Sequence, residues 1–454
     1  MSFDINEIIE FNPTRKLEKN SVAPFISMAA IQENNKFVKE VELKTFSGGA
    51  KFKNGDTLFA RITPCLENGK TAMVTILEES QIGHGSTEFI VLSPINESDA
   101  EYVYYLSRLP EFRQYAKSRM EGTSGRQRVS WQSLSEFNYT FPAQKIRERV
   151  GSFLSLFDSK IELNNQINET LEAMAQAIFK SWFIDFEPVK AKIEAKEAGQ
   201  DAEGILLAAM SAISGKDSEA LQALQTTAPE EYAELKAIAE QFPDSLEESE
   251  LGLIPKGWEV KPLDEIAEYH NGLALQKFRP DDPNDYLPIV KIAELRSGKA
   301  NHEEKASPDI RENSIINDGD VIFSWSGTLL VDIWCGGKAA LNQHLFKVVS
   351  ENYPKWFFYF YTKYHLSNFQ KIANDKAVTM GHIKRSHLKE TLCLIPTSKF
   401  LMIDIIDNLL KHKVDNTLSN KTLTELRDTL LPKLLSGKID VSNVEIDELL
   451  ENED

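Results

Sequence analysis

Apolar residues recur at Ile146, Val150, Phe153 and Phe157, and again at Ile167, Leu171, Met174, Ile178 and Trp182. The steps are mostly alternating fours and threes, the seam of a coiled coil, and they predict one long helix over residues 145–186. Lys160 and Asn164 interrupt the seam, as a register device or a local opening would. A second stripe, Ile406, Leu409, Leu418, Leu423, Leu426, Leu430 and Leu434, predicts a helix from Leu401 to Leu435. Pro432 removes a backbone donor near its end, and Gly437 is placed to stop it. A helix with a long apolar seam needs a partner. The expected partner of each is the other, packed antiparallel. The first would span about 60 Å at ~1.5 Å per residue.

Ahead of each helix the pattern changes. Asp56 to Ile62 and Glu88 to Leu92 are short apolar stretches bounded by Gly, Asn and Pro, and they predict strands. Glu101 to Met120 has a helical stripe at Val103, Leu106, Phe112 and Tyr115, and Pro110 is expected to split it into two helices. Residues 1–141 therefore read as a mixed α/β head, and residues 251–395 repeat the plan.

The repeat is visible residue by residue. Asn6-Glu7-Ile8-Ile9-Glu10-Phe11 returns as Asp264-Glu265-Ile266-Ala267-Glu268-Tyr269, and Gly55-Asp56-Thr57-Leu58-Phe59 returns as Gly319-Asp320-Val321-Ile322-Phe323. Tyr102-Val103-Tyr104-Tyr105 returns as Trp356-Phe357-Phe358-Tyr359, and Val129, Leu134 and Pro142 return as Ile383, Leu388 and Pro396. The offset drifts from 258 to 264 to 254, but the order of the anchors is kept. A unit this long is a duplicated module and not a solenoid.

The expected division is a first head (1–141), a first helical region (142–189), an acidic linker or small helical insert (190–250), a second head (251–395), a second helical region (396–440) and an acidic tail (441–454). Within the insert, Ile205 to Ile213 and Pro229 to Glu240 are candidate short helices. The fold class is α+β: two α/β heads, each followed by a long helix, the helices forming an antiparallel coiled coil with pseudo-twofold symmetry.

The net charge of −18 looks hostile to nucleic acid until it is located. Residues 1–141 hold 16 basic and 18 acidic groups, and residues 251–395 hold 18 of each. Residues 191–250 hold 4 basic against 14 acidic groups, and residues 441–454 hold 6 acidic and no basic ones. The heads are near neutral, so each can carry a local basic face. No apolar run approaches a membrane span and no signal peptide opens the chain, so no membrane role is expected. Cys65, Cys335 and Cys393 are too few and too scattered for a disulfide framework or a zinc site, which fits a reducing cytoplasm.

Motifs for chemistry are weak. Gly69-Lys70-Thr71 resembles the end of a phosphate loop, but Pro64 stands where that loop needs Gly. Pro243-Asp244 with Glu259-Val260-Lys261 fits a loose nuclease pattern split between a linker and a new domain. Asn12-Pro13-Thr14 and Pro64-Cys65 lack the companions a base methyltransferase needs. The eight histidines do not cluster at metal spacing, and a scattered His such as His84 is expected at the surface or as a cap. No catalytic residue, metal or cofactor is expected.

Two basic loops stand out. Gly122-Thr123-Ser124-Gly125-Arg126-Gln127-Arg128 in the first head and Lys376, Thr379, His382, Lys384 and Arg385 in the second occupy the same place, just before the last strand. Small residues let backbone approach phosphate, and Arg, Gln and Lys reach phosphates or base edges. With Arg61 and Lys70, they form the candidate DNA-binding set.

Here the chain resembles the specificity subunits of type I restriction–modification systems. The resemblance rests on Gly55-Asp56-Thr57-Leu58-Phe59-Ala60-Arg61-Ile62-Thr63-Pro64-Cys65 and Gly83-His84-Gly85-Ser86-Thr87-Glu88-Phe89 in the first head. Asn168 to Phe183 and Leu430-Leu431-Pro432-Lys433-Leu434-Leu435-Ser436-Gly437 look like the family's two helical regions. Ile254-Pro255-Lys256-Gly257-Trp258 looks like the opening of its second recognition domain, an opening the first head lacks.

The resemblance implies that each head is a target recognition domain reading one half of a split, asymmetric site in double-stranded DNA. It implies that the helices set the unread spacer and dock two methyltransferase (M) subunits, which restriction (R) motor-nuclease subunits join. Cofactor and ATP would then sit on the partners. A four-residue insertion in the first helix would be expected to lengthen the spacer. The alternatives are a two-headed protein-binding scaffold without DNA specificity and, less favoured by the motifs, a nuclease or methyltransferase in one chain.

Overall fold

The structure is a computed structural model that describes residues 4–33, 35–123, 125–375, 381–397, 400–402, 404–441 and 444. The chain divides into two compact units, Met1–Asn164 with Ser419–Asp454, and Asn165–Leu418.

In the first unit, β1 (Ile9–Phe11), β2 (Val22–Ile26), β3 (Glu42–Thr45), β4 (Ala50–Phe52), β5 (Thr57–Ala60), β6 (Thr71–Met73), β7 (Gly83–Gly85) and β8 (Phe89–Pro94) form two four-stranded sheets. One has the order β1-β8-β5-β6 and is antiparallel throughout. The other has the order β3-β2-β7-β4, with β2 and β7 parallel. β5 and β8 are apolar without a solvent face because both of their faces are covered. Leu58, Phe89 and Val91 enter a core shared with Ile26 and Phe52 of the other sheet. Phe59, Ile90 and Leu92 enter a core shared with α1 (Ala100–Arg108) and α2 (Pro110–Ser118).

Leu109 separates those two helices with an extended backbone, and Pro110 opens the second, where its missing N–H costs nothing. A short α3 (Trp131–Ser135) precedes the long α4 (Gln144–Phe183).

His84 is a correction. It is 3 % exposed, at the centre of β7, with its ring 5.1 Å from Phe25 and 5.3 Å from Phe46. A Cβ on Gly83 would lie 2.5 Å from the Phe52 ring, and one on Gly85 would lie 2.6 Å from the Ile26 carbonyl. The Gly-His-Gly run is therefore a packing device, neither a surface cap nor a site.

The second unit carries α5 (Glu187–Glu197), α6 (Ala202–Ser214), α7 (Ser218–Thr227) and α8 (Pro229–Gln241), joined around Ala209, Met210, Leu221 and Ala239. Residues 187–241 are thus a folded helical insert, of which only α6 and α8 announce themselves as apolar stretches. A hairpin of β9 (Leu246–Ser249) and β10 (Gly252–Pro255) follows, then β11 (Glu259–Pro262) and α9 (Leu263–Ile266).

The head itself has β12 (Glu268–Asn271), β13 (Leu287–Val290), α10 (Ile292–Ser297), β14 (Lys305–Ala306), β15 (Ile315–Ile316), β16 (Val321–Ser324), β17 (Val331–Ile333), β18 (Ala339–Leu341) and β19 (Leu345–Val349). Its sheets have the orders β12-β19-β16-β17 and β14-β13-β18-β15, with β13 and β18 parallel. This is the first head's topology strand for strand. α11 (Lys355–Tyr364), α12 (Leu366–Asp375), α13 (Arg385–Glu390) and β20 (Leu392–Ile395), paired with β11, complete it before α14 (Ile405–Leu435).

Phe179, Trp182 and Phe183 near the end of α4 pack into this head beside Trp258, Trp356 and Phe400. In the first unit, Leu431, Leu434 and Leu435 of α14 pack on α1, where Tyr102 donates to the Leu435 carbonyl at 3.4 Å. Gly437, with φ +70°, ends that helix in the left-handed region.

The helices pair antiparallel, but the predicted seam is one of the places where the structure departs from the pattern. Of the expected seam residues Val150 is buried, while Ile146, Ile167, Met174 and Leu426 are exposed. Phe153, Phe157, Leu171, Ile178, Leu409, Leu423 and Leu430 are half-buried on the flanks. The facing positions are polar through the middle. In the first unit Arg427 pairs with Asp158, and Asn164 Nδ2 donates to Asn420 Oδ1 at 2.8 Å. In the second, Asn168 donates to Thr417 at 3.1 Å and accepts from Asn416 at 3.1 Å, and Lys413 pairs with Glu172.

On α14 the facing line runs Ile406, Leu410, Lys413, Thr417, Asn420, Thr424, Arg427, Leu431 and Leu434, an unbroken alternation of fours and threes. A search for apolar periodicity lands beside a polar seam. Each polar pair is satisfied in one alignment only, so these residues specify register where apolar ones would tolerate a slip.

His365 gives the second unit a pH dependence. Burial pulls its imidazole down to about 4, and its ring stacks on Tyr361 at 6.3 Å. Its ordinary value is about 6.5. The unfolded chain therefore binds more protons between those values, and stability falls as pH drops through that window. The expected loss is roughly 2–3 kcal/mol, at ~1.4 kcal/mol per unit. Denaturation followed by tryptophan emission at pH 7 and pH 4.5 checks it, since Trp182, Trp258, Trp325, Trp334 and Trp356 all lie in this unit. His365→Phe should flatten the slope; an unchanged slope refutes the assignment.

Candidate nucleic-acid interface

In the first head, the chain beyond β5 is held between two loops. Arg61 N–H donates to the Glu88 carbonyl at 3.0 Å, and Val129 N–H donates to the Arg61 carbonyl at 3.0 Å. Thr63 N–H donates to the Gln127 carbonyl at 3.1 Å, and Gln127 N–H returns to the Thr63 hydroxyl at 3.1 Å. Residues 61–63, 86–88 and 126–128 thereby converge on one corner.

Arg128 is fixed there. Its Nε lies 3.0 and 2.9 Å from the two carboxylate oxygens of Glu88, and its Nη2 lies 2.6 Å from one of them. Those hydrogen bonds hold the Glu88 carboxyl below its usual range. Arg126 is exposed, and Gln127 and Arg128 are half-buried. Arg61 is half-buried beside an open cleft of about 410 Å³ that Lys51, Thr87 and Asn12 also line. Lys70 stands apart from this group in its contacts, donating to the Met28 carbonyl at 3.1 Å. Ser124 lies outside the described residues.

The second head builds the same corner from other side chains. Ile383 N–H donates to the Trp325 carbonyl at 3.0 Å, Gly327 N–H donates to the Gly381 carbonyl at 2.9 Å, and His382 bridges Ser326. Strand register makes Trp325 the counterpart of Arg61, His344 of Glu88, and His382 of Arg128. Trp325 packs 6.1 Å from His344 and 6.3 Å from His382, and its indole Nε1 donates to the Gln343 carbonyl at 3.2 Å. The Ser326 hydroxyl is 2.8 Å from His344 Nδ1.

Of the other candidates, Lys384 is exposed at the start of α13. Arg385 is turned back onto β12, donating to the Tyr269 carbonyl at 2.8 Å and to Asn271 Oδ1 at 2.5 Å. Lys376 and Thr379 lie outside the described residues. Glu88, Trp325 and His344 were missed. A signal for Trp325 existed: it stands six residues after Gly319, as Arg61 does after Gly55, in a matched pair of anchors.

Among the described residues no group of three or more His, Cys, Asp or Glu could hold a metal ion, and no helix is long and apolar enough to cross a membrane. The first corner offers guanidinium donors and the second an indole with two imidazoles, groups suited to contact with phosphates and base edges.

Comparison with known proteins agrees on family. A model described as "Type I restriction modification DNA specificity domain" matches residues 1–173 and 255–426. The HindI type I restriction enzyme specificity subunit of Haemophilus influenzae is 30% identical over 431 residues, spanning 89% of this chain and 92% of that protein. The MjaIX specificity subunit of Methanocaldococcus jannaschii is 26% identical over 358 residues, spanning 76% of this chain and 70% of that protein. Among solved structures, the type I restriction-modification S subunit from M. genitalium superposes with a TM-score of 0.46 at 13% identity, covering 96% of each chain.

Proposed function

Because the chain belongs to the family of type I restriction–modification DNA specificity subunits, we propose that its two heads read the two halves of a split, asymmetric site in double-stranded DNA. The observation that supports this is the duplicated corner. One backbone scaffold occurs twice, with Arg61, Glu88 and Arg128 in one copy and Trp325, His344 and His382 in the other. Identical scaffolds with different donors suit two different half-sites.

On this reading the chain performs no chemistry itself and acts as an adaptor for methyltransferase and restriction subunits. Exposed apolar residues suit such docking: Leu163 and Leu426 in the first unit, and Ile167, Met174 and Ile405 in the second. In the cell the place of action would be the cytoplasm, where the DNA is.

Binding to duplex DNA across a salt series tests the reading. Affinity should fall steeply between 50 and 200 mM salt as counterions are released (~0.9 log units per log salt for each phosphate neutralised). Affinity indifferent to salt would favour a protein-binding scaffold. Arg126→Ala, at an exposed residue, should weaken binding through the first half-site and leave discrimination in the second unchanged. Equal loss at both halves would mean the fold was damaged.

A further inference from the structure

The two corners differ most at one position, and that position tells the heads apart chemically. Arg61 and Trp325 occupy equivalent places one residue past β5 and β16. The neighbouring Arg128 is held by three hydrogen bonds to Glu88 and so serves the loop. Among the described residues the buried Nε of Arg61 has no hydrogen-bond partner, and the side chain lies at an open cleft. The Arg61 charge acts on the nearby Glu88, but its guanidinium is not tied to that carboxylate as Arg128 is, and a half-buried arginine at a cleft can offer its fork for two parallel hydrogen bonds to a ligand. In a duplex major groove the partner for that fork is guanine, through O6 and N7.

The second head cannot do this at the same place. Trp325 has a single donor, and it is taken by the Gln343 carbonyl. What remains is the indole face with the imidazoles of His344 and His382 beside it. Such a corner gives single hydrogen bonds and apolar contact, which suits a thymine methyl better than a guanine edge.

We propose that Arg61 is the specificity-determining residue of the first head and reads a guanine in its half-site, while the Trp325 corner reads its half-site without a guanidinium. This rests on the reading that each head contacts duplex DNA. The test is selection from a randomised duplex library by the full chain in complex with its methyltransferase partners, followed by sequencing. Wild type should enrich two half-sites, one containing the guanine. Arg61→Ala should lose preference at that one guanine by roughly tenfold to a hundredfold, with the other half-site unchanged. Arg61→Lys should keep overall affinity but lose most of the guanine preference. Trp325→Phe should alter the other half-site only.

Full recovery of preference by Arg61→Lys would overturn the proposal by showing a phosphate contact. So would a change at a base other than guanine, or equal loss in both halves. A wild-type complex that enriches no half-site at all would overturn the DNA reading itself, and this inference with it.

Discussion

Asp158→Ala should destabilise the first unit by about 3–5 kcal/mol, the cost of leaving a buried charge without its partner. Arg427 and Asp158 are both almost fully buried, and the Asp158 carboxylate also accepts from the Tyr105 hydroxyl at 2.5 Å. Burial, with Asp158 alongside, pushes the Tyr105 hydroxyl well above its usual range, so it remains a donor. Removing Asp158 leaves Tyr105 without its acceptor and Arg427 with only the half-exposed Asp428. Removing both charges is a different experiment. Asp158→Leu combined with Arg427→Met replaces the pair by apolar groups of similar volume, and such replacements are often neutral.

The double variant should therefore be more stable than Asp158→Ala while losing register. Hydrogen exchange at amides of residues 150–164 and 423–435 reads both effects. If the double variant exchanges as fast as the single one, the stranded Arg427 charge is not the source of the loss.

That pair also shows what was legible in the sequence. The two long helices, the strands at residues 56–62 and 88–92 and the helices at 101–120 could be read in advance, because their apolar spacing is regular. The split at Pro110 and the stop at Gly437 followed from backbone chemistry. The duplication could be read because paired anchors survive in order. The seam could not: Asn168, Glu172, Lys413, Thr417, Asn420 and Arg427 carry no apolar signal. Leu171, Met174, Leu423 and Leu426 beside them do, so the predicted line fell about one position off.

His84 failed for a related reason. Its burial depends on Phe25 and Phe46, which lie 59 and 38 residues away in the chain. At the candidate interface the basic loop of the first head was visible as charge. The places of Arg61 and Glu88 are taken in the second head by Trp325 and His344, which charge counting passes over.

On the proposed split-site reading, the heptad seam sharpens how the spacer should respond to helix length. A four-residue insertion in α4 alone would no longer be expected to lengthen it cleanly. Placed after Asn164, it would carry Asn168 away from Thr417 and Glu172 away from Lys413, while α14 kept its length. The expected result is lost pairing. Adding seven residues to both helices, after Asn164 and after Leu418, keeps every seam residue in phase. It lengthens each helix by ~10 Å at ~1.5 Å per residue. On DNA rising ~3.4 Å per base pair, that is about three base pairs. The double-heptad protein should therefore prefer a spacer longer by about three base pairs, in a set of duplexes that varies the spacer one base pair at a time. Because three base pairs also turn the second half-site by roughly a third of a helical turn, binding to the original spacer should collapse. A double-heptad protein that folds and still prefers the original spacer would show that the helices do not set it.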